Sequence, residues 1–419
     1  AGGGATMDVP HPLANTSKYK QYVIAVDKAL KSFENTNEWA DLIAALGKLA
    51  KVFSQHSKYG DIPKPVTVAK RLSQCLHPAL PMGVHLKALD TYRQIFDILG
   101  REALPKQLYL FAVGLFPLMD HCGIKVKGEL LSIFEQYLLP LGDNLEPSLP
   151  GFLAAVLLGL EEGTEFFDRS FSLLDRVCDA VGATSFYACL WQTVLGCPSV
   201  RLPALIYVNT KFDKTRSLDE QSYIMGGNVH HMVAALCAAG DDTGTPLVQR
   251  NLLDLLCTAF PLDSTTLTRQ DFVQLLRRCL FVVLRRDMSL NRRLFTWILN
   301  PSGTMVNSVP VGDDILDTSF FTQTVLPMIV DALRQFLELD TVEITVSSSS
   351  ALYSSTPSHK DAHSHHFVEV RLCRLFTYLQ DRPEVGRPVL LRVLPFLLKK
   401  CARLLPKEKE EDNDNDSDE

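Results

Sequence analysis

The chain has 419 residues, 46 % of them hydrophobic, and a formal net charge of −6. That length exceeds one ordinary hydrophobic core and implies several domains or one elongated array. The charge is local. Residues 407–419 hold eight acids and two lysines, so the rest is formally neutral, which argues against the broad basic face that general nucleic-acid binding needs.

In chain order, residues 1–7 read as a remnant or disordered lead ahead of the fold. From Lys18 to Phe33, Tyr19, Tyr22, Val23, Val26, Ala29, Leu30 and Phe33 fall on one helical stripe. Asn37 is placed to cap the next helix, whose buried face carries Leu42, Ile43, Leu46, Leu49, Val52 and Phe53. Prolines and glycines then recur at helix-length intervals: Pro63/Pro65, Pro78/Pro81, Gly100, Gly123, Pro140, Pro147/Pro150, Gly163, Gly182 and Pro198. Helices joined by such short turns become antiparallel neighbours. Residues 341–366 are rich in Ser and His, lack a helical stripe and predict a flexible loop. Helical patterning resumes from Val368 and from Val389, so residues 367–406 continue the array, and the acidic 407–419 predicts a disordered tail.

One pattern recurs five times: VHLKALDTY from Val84, VKGELLSIF from Val126, VRLPALIYV from Val200, VQRNLLDLL from Val248 and LNRRLFTWI from Leu290. A degenerate copy, FDRSFSLL, begins at Phe167. The five starts differ by 42, 74, 48 and 42 residues, the copy at Phe167 dividing the gap of 74, and a period of this size matches two-helix HEAT or armadillo units. Each segment begins the second helix of a pair. The first aliphatic residue folds over the turn, and the fifth, sixth and ninth positions pack on the neighbouring unit. The polar second position (His85, Lys127, Arg201, Gln249, Asn291) is expected to face solvent. The predicted fold for residues 8–340 is therefore all-α: a right-handed α-solenoid of HEAT/armadillo-like helix pairs.

Several of these stretches resemble the N-terminal region of Dopey proteins. They are EWADLIAALGKL (38–49), RLSQCLHPALPMGVHLKALDTY (71–92), GLEEG (159–163), PSVRLPALIYV (198–208), LVQRN (247–251) and LRRDMSLNRRLFTWIL (284–299). The resemblance runs from about Tyr19 to Leu339, weakens across 301–320 and is absent from 341–366. It implies a fragment of a much longer peripheral protein on the cytosolic face of the trans-Golgi network and endosomes. It also implies partners: a large Golgi scaffold related to Arf exchange factors, a phospholipid flippase, conventional kinesin and phosphatidylinositol 4-phosphate.

Two basic clusters are candidates for docking. Arg277, Arg278, Arg285, Arg286, Arg292 and Arg293 lie close in sequence, opposed locally only by Asp287. The expected turn at 287–289, capped by Ser289, makes them straddle a helix–turn–helix corner. Such a corner suits an anionic headgroup or an acidic partner segment; the bland alternative is arginines that pair with carboxylates between repeats. Lys18, Lys20, Lys28 and Lys31 flank the first helical stripe and face the same choice between steering to an anionic membrane and simple solvation.

Other chemistry finds little support in the residues. His359, His363, His365 and His366 sit in the predicted loop with no cysteine nearby, a poor setting for structural zinc. The ten cysteines form no CxxC pair and read as buried, reduced thiols. Neither a nucleophile elbow, a phosphate loop, HExxH nor a dinucleotide fingerprint occurs, so no enzyme, cofactor or metal is expected. No uninterrupted apolar run reaches the length of a membrane span. Trp39, Trp191 and Trp297 lie on apolar stripes and are assigned to the core.

Overall fold

A computed structural model describes residues 15–34, 38–161, 163–301, 319–349 and 361–404; side chains at 339–349, 361–369 and 400–404 fall outside the description. The sequence expectations for residues 1–7, Asn37, 350–360 and 407–419 therefore lie outside the described residues. All the regular elements among the described residues are helices. The chain divides into two units, 1–235 and 236–419.

The first unit opens with α1 (Ser17–Lys31), α2 (Trp39–His56), α3 (Pro65–Gln74) and α4 (Met82–Leu115). It continues through α5 (Leu118–His121), α6 (Ile124–Ile133), α7 (Leu149–Leu157), α8 (Phe167–Val181), α9 (Ala183–Gly196) and α10 (Arg201–Lys211). Thr16 starts α1 by accepting the backbone N–H of Tyr19 through its hydroxyl. Glu38 stands at the start of α2, and its N–H donates to the Asp41 carboxylate at 3.2 Å. Gly100, at φ 59°, bends α4 where the sequence predicted a break. Gly114 lets α4 approach α3 closely, since a Cβ there would come within 2.7 Å of Ser73. Contacts run mainly between near neighbours: α1 on α2, α2 and α3 on α4, α4 on α6, α7 on α9.

The unit boundary falls within α11 (Val229–Gly240). The second unit then contains α12 (Pro246–Ala259), α13 (Arg269–Cys279), α14 (Met288–Leu299), α15 (Leu326–Ser349), α16 (Asp361–Leu379) and α17 (Pro383–Leu404). Here α12 packs on α14, α13 on α15, and α15 on α16 and α17. The segment expected as a loop at 341–366 is entered by helix from both sides, α15 to Ser349 and α16 from Asp361.

Burial follows the repeat pattern closely. The first, fifth, sixth and ninth positions of all five segments are buried, from Val84, Ala88, Leu89 and Tyr92 to Leu290, Leu294, Phe295 and Ile298. The second position departs from expectation. His85 and Gln249 are buried, and Lys127, Arg201 and Asn291 are half-buried. Their chemistry explains it. His85 Nε2 lies 3.0 Å from the carbonyl oxygen of His77, Gln249 Nε2 donates to Gly240 at 2.7 Å, and Arg201 Nε donates to Val194 at 3.3 Å. Carbonyls in the last turn of a helix and in the turn after it have no partner within the helix, and the next helix supplies one. Trp39 is a second correction: it is 58 % exposed, whereas Trp191 and Trp297 are buried and donate their indole N–H to Ile224 and Phe260. A third concerns α14, which is capped by Asp287, not Ser289; the Asp287 carboxylate accepts the N–H groups of Ser289 and Leu290 at 2.8 and 3.1 Å.

Candidate functional site

The arginine corner is built from α13, the tight turn at Leu280–Arg285 and α14. Thr268 and Asp271 form a reciprocal cap at the start of α13. Arg286 takes a left-handed backbone (φ 56°) to redirect the chain into α14. Sequence neighbours offered only Asp287 as counter-charge, but the fold brings others. Arg278 pairs with Asp241 at 3.1 Å, and Arg293 with Asp254 at 2.6 Å. Arg293 also donates to the Ser289 hydroxyl at 2.7 Å. Arg285 donates to the Asp242 carbonyl at 2.6 Å. Arg286 Nε donates to the Tyr378 hydroxyl at 2.6 Å, with the guanidinium 4.9 Å from that ring's centre. Arg277 is half-buried on α13, and Arg292 is exposed on α14. Asp287 itself accepts Arg250 at 2.7 Å; that hydrogen bond, with the backbone N–H of Leu290, holds its carboxyl below the usual range.

The lysines of α1 have a different setting. Lys18, Lys20, Lys28 and Lys31 are all exposed. Lys20, Ile24, Lys28 and Lys31 share one helical face, and Ile24 is 65 % exposed at its middle. The opposite face buries Tyr19, Tyr22, Val26 and Leu30. Tyr19 and Tyr22 donate to the Asp61 carboxylate and carbonyl, which fixes the rotation of the helix. A recess of about 390 Å³ opens beside Lys18, lined by Thr16, Ser17, Lys58 and Tyr59.

Candidate reactive groups are muted by burial. It pushes the thiols of Cys122 and Cys178 up to about 11, and those of Cys75, Cys189, Cys237 and Cys257 up to about 12. At neutral pH these cysteines are protonated apolar side chains. Among the described residues no cluster of His, Cys, Asp and Glu is arranged to hold a metal ion. Among them, too, no helix is long and apolar enough to cross a membrane.

What these features define is an all-helical protein with near-neighbour helix packing and solvent-facing basic and apolar surfaces. The sequence pattern of the family described as "Dopey, N-terminal" matches residues 16–303, and the chain belongs to the Dopey family. Protein pad-1 of Caenorhabditis elegans is 63 % identical over 406 residues, covering 96 % of this chain and 17 % of its own length. The Drosophila melanogaster protein DOP1 homolog is 46 % identical over 304 residues, covering 72 % of this chain and 12 % of its own. Protein DOP1B of Xenopus laevis is 39 % identical over 397 residues, covering 91 % and 17 %. The chain thus spans only about a sixth of the curated relatives it matches. No solved structure matches it.

Proposed function

We propose that the chain is a scaffold of Golgi–endosome membrane traffic, built as a right-handed HEAT/armadillo-like solenoid. In this reading it docks peripherally on anionic membrane containing phosphatidylinositol 4-phosphate and holds larger partners on its remaining surface. Those partners are the ones the family resemblance implies: an Arf-exchange-factor-like Golgi scaffold, a phospholipid flippase and conventional kinesin. The observation that carries the lipid contact is the α1 face, where exposed Lys20, Lys28 and Lys31 flank exposed Ile24, with exposed Lys18 at the start of the helix. Each lysine near an anionic surface contributes about 1 kcal/mol, and an apolar residue between them enters the interface. The near-neighbour helix contacts and the burial of the first, fifth, sixth and ninth repeat positions support the solenoid.

The test is sedimentation with liposomes containing phosphatidylinositol 4-phosphate. The parent chain pellets in a salt-sensitive way, and a variant with Lys18, Lys20, Lys28 and Lys31 reversed to Glu stays in solution while keeping its helical circular dichroism. Equal pelleting of the two overturns the assignment. A second reading, a pure protein-interaction module with no direct lipid contact, draws on the ion pairing of the arginine corner. Indifference to every anionic liposome, with retained binding of the Golgi scaffold, favours it.

A further inference from the structure

Helix α17 has two apolar faces. On one, Val385, Val389 and Val393 are fully buried. Phe396 continues that stripe, with the Arg334 guanidinium of α15 3.8 Å from its ring centre. At about 100° per residue, Leu391, Leu394 and Leu398 fall on the opposite side of the helix. They are 70, 41 and 60 % exposed. Their spacing of three and four residues joins them into one surface. A helix that is apolar on opposite faces is built to be packed on both.

The packing around it shows what form the cover takes. In this unit each of several helices rests on the helix two places along: α12 on α14, α13 on α15, and α15 on α17. The valine face of α17 is met by α15 in this way. The leucine face stands where the same rule sets a further helix.

Charge narrows the choice. From Val385 to Pro406 the sequence holds Arg387, Arg392, Lys399, Lys400 and Arg403 and no acid. Arg387, Arg392 and Lys399 are exposed. Acids on the flanking and packed segments lie elsewhere. Asp381 is in the turn before α17, and Glu384 pairs with Arg382 at 3.4 Å. Asp331 and Glu338 belong to α15, on the valine side, and residues 370–379 of α16 include no acid. Two copies set face to face bring these bases against one another. The acidic residues 408–419 have no apolar side chain to cover leucine, and their eight carboxylates repel an anionic membrane beside the same helix.

Size narrows it again. Three leucines are far less than the about 800 Å² per partner that a stable contact between separate molecules buries. Within one polypeptide the tether supplies a high effective concentration, and a small complementary face suffices. The curated relatives are about six times as long as this chain.

We propose that the Leu391–Leu394–Leu398 face of α17 is covered by an amphipathic helix from elsewhere in the long family polypeptide. That helix carries apolar residues at spacings of three and four, flanked by acids that meet Arg387, Arg392 and Lys399. The proposal is independent of the lipid contact at α1.

The experiment is photo-crosslinking in the full-length Caenorhabditis elegans relative, whose match covers nearly all of this chain. Benzoylphenylalanine is placed at the residue aligned with Leu394, and this chain carrying it at Leu394 is run in parallel. Mass spectrometry is expected to find one dominant cross-link within the long polypeptide. Its target lies outside the matched region and has an apolar stripe flanked by acids; the shorter chain gives no equivalent. Changing the residues aligned with Arg387, Arg392 and Lys399 to Glu lowers the yield about tenfold and leaves circular dichroism unchanged. Cross-links to a second copy, to lipid or to the segment aligned with 408–419 overturn the proposal. So do a target without acids, an unchanged yield in the Glu variant, or no cross-link outside the matched region.

Discussion

The lysines of α1 and the arginines around α13 and α14 look alike in sequence, yet the fold uses them differently. Four of the arginines meet neighbouring segments: Asp241 and the Asp242 carbonyl in the turn after α11, Asp254 of α12 and Tyr378 of α16. The lysines of α1 are all exposed, and Lys20, Lys28 and Lys31 share one face with exposed Ile24. A run of positive residues therefore becomes a field at the surface only where tertiary packing leaves it unneutralised. Side-chain type contributes too, because the planar guanidinium reaches two acceptors at once while lysine remains a hydrated point charge.

The largest effect that sharpens this contrast is expected at α1. Reversing its four lysines to Glu removes at least about 4 kcal/mol of attraction to an anionic membrane. Thermal stability stays within about 0.5 kcal/mol. Liposome sedimentation and a melting curve on one variant check both halves.

Next in size is Arg293→Glu. It places a carboxylate against Asp254 and removes the hydrogen bond to Ser289, so denaturation shows a loss of about 1–2 kcal/mol. Combining Arg293→Asp with Asp254→Arg recovers part of that loss. No recovery would break the claim that this arginine is a pairing residue.

A smaller effect is expected at Asp287, where Asp287→Ala removes a helix cap and the partner of Arg250, for about 1 kcal/mol. Its folded carboxyl lies below the unfolded one, near 4. The associated stability is thus present above that range and lost as the pH falls through the folded value. Acid titration of melting temperature separates parent from variant: the gap closes in acid. The smallest expected effect is Arg292→Glu on an exposed site, within about 0.5 kcal/mol in stability. If Arg292→Glu alone abolished liposome binding, the contrast between the two regions would be reversed.

Much of the architecture was readable from periodicity. Val84, Leu131, Ala204, Leu253 and Ile298 are buried where the repeat places them, because an amphipathic helix has only one way to hide its stripe. The errors share a cause. His85 and Gln249 were assigned to solvent because they are polar, but His85 meets the His77 carbonyl in the turn after α3 and Gln249 donates to the Gly240 carbonyl at the end of α11. Trp39 was assigned to the core because it lies on an apolar stripe, but it is the first residue of α2 and is exposed.

Local patterning alone determined the helices, their approximate ends, the repeat period and the inward stripe, since these depend on backbone geometry and on apolar side chains leaving water. Tertiary structure alone decided which charges are neutralised, which polar side chains cap a neighbour and which apolar residues remain in view. The charge pairings depend on groups far away in the chain, 92 residues for Tyr378 with Arg286 and 39 for Asp254 with Arg293, brought within hydrogen-bonding reach by packing.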